Sequence, residues 1–148
     1  CVLNRLFCHP APVARRLYKI YNKKEKKTRE AMELDLYTGI DILEVGRFRE
    51  ALGRNPERLP ARLFTDRELA SFPPEERDLY MCYSFSFKES VWKALPDTMQ
   101  KGVYARDIEV VWKGGKPEIL LRRERLESLA VQFLRAGENV ITIAVLVA

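Results

Sequence analysis

At 148 residues the chain is long enough for one hydrophobic core and too short for two. A composition that is 47% hydrophobic and 32% charged is that of a soluble globular domain, and the lack of any 18-residue apolar run excludes a helical membrane span. The formal charge of +5 is unevenly placed: residues 15–29 hold eight basic groups against Glu25 alone, whereas from Glu30 onward 17 basic residues meet 20 acidic ones. A nucleic-acid partner would have to use that first segment, which carries no zinc, helix-turn-helix or ribonucleoprotein signature, so none is expected.

Residues 1–31 begin with Cys1 and contain Pro10 and Pro12 before the basic run, and Met32 is the expected natural start. Three readings of this stretch stay open: a leader extraneous to the domain, a helix packed on it through Leu17, Tyr18 and Tyr21, or a functional basic arm. The domain is taken as 32–148. Leu34 to Ile42 reads as a strand, and Val45, Phe48, Ala51 and Leu52 have helical spacing, with Arg47, Arg49 and Arg54 off the apolar stripe. Pro56 and Pro60 break the chain. Thr65 and Glu68 have the spacing of a helix start, and Pro73-Pro74 opens the next segment. Leu79 to Leu95 is the longest helix candidate, ended by Pro96.

Ile108 to Trp112 and Pro117 to Leu121 flank Lys113-Gly114-Gly115-Lys116, a hairpin signal. Arg123 to Arg135 places Leu126, Leu129, Ala130, Phe133 and Leu134 on one face of a helix stopped by Gly137, and Val140 to Val147 is a closing strand. Mixed elements without strict alternation predict an α+β fold. Cys1, Cys8 and Cys82 are odd in number and lack metal-ligand spacing, which predicts a reducing, cytoplasmic setting. His9 is the only histidine, so histidine triads are excluded.

The chemistry concentrates in two stretches, Gly39-Ile40-Asp41 and Phe85-Ser86-Phe87-Lys88-Glu89-Ser90-Val91-Trp92-Lys93. Carboxylates and ammonium groups among Ile, Phe and Trp are costly unless paired. A divalent cation on Asp41 and Glu89, with a phosphate reached by a lysine, accounts for all of them. On spacing alone a plainer account also holds: Glu89 and Lys93 form an i,i+4 ion pair, and Asp41 is a turn or cap residue.

Gly39-Ile40-Asp41-Ile42-Leu43-Glu44-Val45-Gly46-Arg47-Phe48 followed about 48 residues on by Phe85 to Leu95 is far more specific than either stretch. Together they resemble the 4′-phosphopantetheinyl transferases, most closely the short holo-[acyl-carrier-protein] synthase type. Arg62-Leu63-Phe64-Thr65 with Glu68, and Asp107 to Val110 with Gly115-Lys116-Pro117, are similar to that family's intervening segment and hairpin. The resemblance runs from about Leu36 onward. It implies a single-lobe transferase fold, a small antiparallel sheet packed with a long helix, assembled as a homotrimer with sites between subunits. It implies transfer of 4′-phosphopantetheine from coenzyme A to a serine of an acyl-carrier protein. By motif, Asp41 and Glu89 would hold Mg²⁺, Lys93 would reach a phosphate, and Lys88 would be a second phosphate contact. Glu89 or a metal-bound water would take the serine proton. Arg47 and Arg54 would dock the acidic carrier protein, for which the plain alternative is a solvated helix face.

Two departures from the family pattern stand out. Gly137-Glu138-Asn139 occupies the place of its Ser-x-Ser/Thr-His segment, and Ser84-Phe85-Ser86-Phe87-Lys88-Glu89 replaces Arg-Phe-Ala-Ala-Lys-Glu. These keep a second function open: a catalytically silent module that binds a carrier protein or coenzyme A.

Overall fold

Alternating side chains after Asp35 build the first strand. In the computed structural model, which describes residues 35–147, β1 (Leu36–Glu44) turns Tyr37, Gly39, Asp41 and Leu43 inward and Leu36, Thr38, Ile40 and Ile42 outward. The expectations for residues 1–31, including the start at Met32, lie outside the described residues. Helix α1 (Val45–Arg54) buries Val45, Phe48 and Leu52 and leaves Arg47, Arg49 and Arg54 exposed, as its spacing predicts. Pro60 does not break the chain: it sits in the first turn of a short helix, α2 (Arg58–Leu63), where an absent N–H has no intrahelical partner to lose.

Helix α3 (Asp66–Ser71) opens with the expected capping box. Glu68 N donates to Thr65 Oγ1 at 3.3 Å, and Thr65 N donates to Glu68 Oε2 at 2.8 Å. A 3₁₀ turn at Pro74–Glu76 leads into α4 (Arg77–Ala94), the longest element, and α5 (Asp97–Gln100) follows Pro96. Along α4 the buried positions include Cys82, Ser84, Ser86, Phe87, Lys88, Ser90 and Val91, so the helix is enclosed on most sides. Among the described residues no helix is long and apolar enough to cross a membrane.

The predicted hairpin forms from β2 (Ile108–Lys113) and β3 (Lys116–Leu121), which reverse at Gly114 and Gly115, both at positive φ. A two-residue strand, β4 (Glu124–Arg125), extends this sheet through a second tight reversal with Arg122 at φ 50° and Arg123 at φ 71°.

Residues 123–135 correct the helix expected there. They form β4 and then β5 (Leu129–Ala136), which pairs antiparallel with β6 (Asn139–Val147) from Leu129↔Leu146 to Ala136↔Asn139. The segment's apolar residues satisfy both periods. Leu129, Val131 and Phe133 alternate as well as they spiral, and Gly137 at φ 61° closes a hairpin instead of a helix. The free edge of β6 supplies a ladder along the whole of β5, which outweighs a helical preference weakened by Val131 and Phe133. Phe133 packs on Tyr83, Phe87 and Trp112 with ring centroids 5.1, 5.6 and 6.1 Å away.

The fold is therefore α+β: two three-stranded antiparallel sheets, β1-β6-β5 and β2-β3-β4, around α4. Gly39 sets the spacing between α4 and β1. A Cβ there would stand 1.9 Å from Ser90 O and 2.7 Å from Ala94 N, so only glycine admits this approach.

Candidate functional site

The close contact of β1 and α4 brings the two sequence stretches together. Asp41 projects inward from β1, and Ser86, Glu89 and Lys93 lie three and four residues apart on one side of α4. Lys93 Nζ donates to Asp41 Oδ1 at 2.8 Å and to Ile40 O at 3.1 Å. The i,i+4 pair with Glu89 does not form within salt-bridge distance; the lysine instead crosses from helix to strand. Asp41 is thus no mere turn residue. Its second oxygen, Oδ2, accepts from Ser86 Oγ at 2.9 Å.

Glu89 is half-buried. Burial raises its carboxyl above the ordinary carboxylate range, the Asp41 charge raises it further, and Lys93 partly opposes both. Asp41 and Glu89 offer oxygen donors only. No third Asp, Glu, His or Cys joins them among the described residues. That set fits a hard cation such as Mg²⁺, which takes one or two carboxylates and fills its shell with water and phosphate.

Lys88 occupies a different environment. It is 1% exposed, and its ammonium meets Glu68 Oε1 at 2.8 Å, donates to Ala105 O at 2.8 Å and to Ile108 O. Burial pushes its pKa down, and the Glu68 charge and hydrogen bond pull it back up. Glu68, fully buried, also accepts from Thr65 N and from Val110 N at 2.9 Å. All three Lys88 donors are in use, so a phosphate could be reached only by displacing one of these acceptors.

Beside Glu89 lies a cleft of about 330 Å³ lined by Lys88, Trp92, Val103, Tyr104, Ala105 and Ile108. Tyr104 and Ala105 also border a second hollow of about 470 Å³, which adds Arg62 and Arg106. Trp92 and Tyr104 at the cleft, and Arg106 at the second hollow, were not assigned a role from the sequence, since only the tertiary fold brings them there. Arg47 and Arg54 are exposed on α1, which is held against α4 by the stacked rings of Phe48 and Phe85, 5.5 Å apart. Ser84 is buried and accepts from Trp112 Nε1 at 2.9 Å.

Residues 37–144 match the family described as the 4′-phosphopantetheinyl transferase superfamily. Among curated relatives, the holo-[acyl-carrier-protein] synthase of Shewanella amazonensis is 42% identical over 72 residues, 48% of this chain and 58% of that protein. The match thus spans less than two thirds of that relative's length. The holo-[acyl-carrier-protein] synthase of Geobacter sp. (strain M21) is 36% identical over 102 residues, 68% of this chain and 78% of that protein. Among solved structures, a holo-(acyl-carrier-protein) synthase from Bacillus anthracis in complex with CoA (3′,5′-ADP) is 23% identical. It aligns with a TM-score of 0.61, covering 76% of this chain and 96% of that one.

Proposed function

The chain belongs to the 4′-phosphopantetheinyl transferase superfamily, and from that membership we propose that it transfers 4′-phosphopantetheine from coenzyme A to a serine of an acyl-carrier protein, with Mg²⁺ held by Asp41 and Glu89. The observation that carries the reading is the Asp41–Lys93 pair bridging β1 and α4 with Glu89 alongside, at the mouth of an aromatic cleft. A structural neighbour from Bacillus anthracis is described with coenzyme A, which supports the same donor here.

In the reaction the serine oxygen forms a bond to the phosphorus that carries pantetheine, and the bond from that phosphorus to the nucleotide phosphate breaks. Adenosine 3′,5′-bisphosphate leaves. Asp41 and Glu89 would hold the cation, which would supply positive charge to offset that developing on the phosphates. Lys93 has a third donor unused beyond Asp41 and Ile40, and directs it at a phosphate oxygen as negative charge develops there. Glu89, or a water held by the cation, takes the serine proton. Lys88 holds the wall of the cleft and acts on phosphate only indirectly. The exposed Arg47 and Arg54 on α1 steer the acidic carrier protein. The free, buried thiol of Cys82 suits a reducing cytoplasm.

Self-association as a homotrimer is part of the reading. The outward face of the β1-β6-β5 sheet exposes Leu36, Ile40, Ile42, Leu134 and Ile143, four of them more than half exposed, and a second copy of the chain is the occupant that best fits such a face.

A second reading, the silent binding module, is favoured by Ser84: where the family has an arginine, this side chain is turned into the core. Intact-mass spectrometry of an apo carrier protein incubated with this protein, coenzyme A and Mg²⁺ separates the two. A gain of one phosphopantetheine arm, absent when EDTA is included from the start, is expected. No gain across several carriers from folded protein would leave the module.

A further inference from the structure

We infer that Ser86, backed by Thr142, is a positioning residue that fixes the Asp41 carboxylate in the orientation a cation requires. The inference rests on the reading of Asp41 as a metal ligand. Ser86 and Thr142 are both fully buried. Thr142 is the cross-strand partner of Asp41 in the β1–β6 ladder, and Ser86 comes from α4 on the inner side of that pair. Ser86 Oγ lies 2.9 Å from Asp41 Oδ2 and 2.9 Å from Thr142 Oγ1, and Thr142 Oγ1 lies 2.9 Å from Ser86 O.

Proton counting sets the direction. An ionised carboxylate only accepts, so the single Ser86 hydroxyl proton points at Asp41. Thr142 then directs its own proton back at Ser86, either to its hydroxyl or to its carbonyl oxygen. In the first arrangement donation runs from β6 through α4 to β1 and each hydroxyl polarises the next; in the second Thr142 pins the α4 backbone at Ser86 and so fixes where the serine hydroxyl stands. Lys93 holds Oδ1 and Ser86 holds Oδ2, which leaves the Asp41 side chain no free rotation. Lys93 is half-exposed and a ligand can move it; Ser86 is enclosed and cannot follow a ligand. Ser86 therefore keeps the carboxylate aimed while Lys93 exchanges partners. Groups that orient a metal ligand from behind typically govern affinity by about 10–100-fold.

The test is binding of Mn²⁺ alone to the full chain, followed by electron paramagnetic resonance. Melting temperatures are recorded for each variant. Ser86→Ala is expected to weaken Mn²⁺ about tenfold or more. Thr142→Val, which keeps shape and removes the hydroxyl, is expected to weaken it a few-fold, and Thr142→Ser is expected to match the parent. A Ser86→Ala protein that binds Mn²⁺ as tightly as the parent, while Asp41→Ala does not bind, overturns the positioning role and leaves the metal site standing. Mn²⁺ binding unchanged in both Asp41→Ala and Glu89→Ala removes the metal reading, and this inference with it. Should Ser86→Ala fail to fold, the Thr142→Val and Thr142→Ser pair decides: equal affinity overturns the inference, and loss in the valine variant alone supports it.

Discussion

Two lysines five residues apart on α4 have opposite surroundings. Lys88 is sealed among Glu68 and two backbone carbonyls, whereas Lys93 is half-exposed and leans across to Asp41. The first ties α4 to the start of α3 and to β2, and the second ties α4 to β1. A buried cation whose donors are all matched by protein acceptors is a structural group. A partly exposed cation with a donor left over is available to a ligand. Equal charge on neighbouring turns of one helix thus serves rigidity in one place and stays within reach of a ligand in the other.

The sharpest way to break the comparison is to exchange the effects. Lys88→Met leaves Glu68 buried without its cation and is expected to cost about 3–5 kcal/mol of stability by urea unfolding. Lys93→Ala is expected to lower transfer by about 10²–10³-fold and leave the urea midpoint nearly unchanged. A Lys88 variant of normal stability, or a Lys93 variant that unfolds early, would erase the distinction. Gly39→Ala forces α4 away from β1 and is expected to cost about 3 kcal/mol, with activity falling in step because Asp41 and Lys93 are pulled apart.

A smaller effect concerns charge at a distance. Reversing Arg47 and Arg54 to Glu is expected to raise KM for the carrier protein about tenfold at low salt, with little change in kcat, and the difference should shrink as salt is added. Cys82 gives the mildest readout. Burial pushes its thiol up from 9.0 to about 11, so the native protein should not react there with a maleimide at pH 8 until it is unfolded. The sign of the linked stability follows. Because the folded thiol has the higher pKa, its contribution is complete below about pH 9 and declines as pH rises toward 11.

Much of this site was legible in the sequence because its signals are local. Gly39-Ile40-Asp41 lies on a strand, Glu89 and Lys93 share a helix face, and Thr65 with Glu68 forms its cap as spaced. What escaped depends on partners distant in the chain. Nothing next to Lys88 announces Glu68, 20 residues away, and nothing next to Ser86 announces Thr142, 56 residues away. The error over 123–135 has the same origin. Its side chains suit either period, and the edge of β6 decided between them. The reversal at Arg122 and Arg123 carries no Gly or Asn to mark it.

The pairing of β1 with β6 has a consequence for how the protein is made. Leu36 pairs with Val147 and Asp41 with Thr142, so the first described strand waits for the last described one before it has a neighbour. Helix α4 and the β2–β3 hairpin can form while synthesis continues, but the sheet that carries Asp41 cannot close until β6 has emerged. A nascent chain stopped before residue 139 would hold Glu89 and Lys93 on a helix with no carboxylate opposite them. The Asp41 side of the candidate site is therefore completed only once β6 has paired with β1.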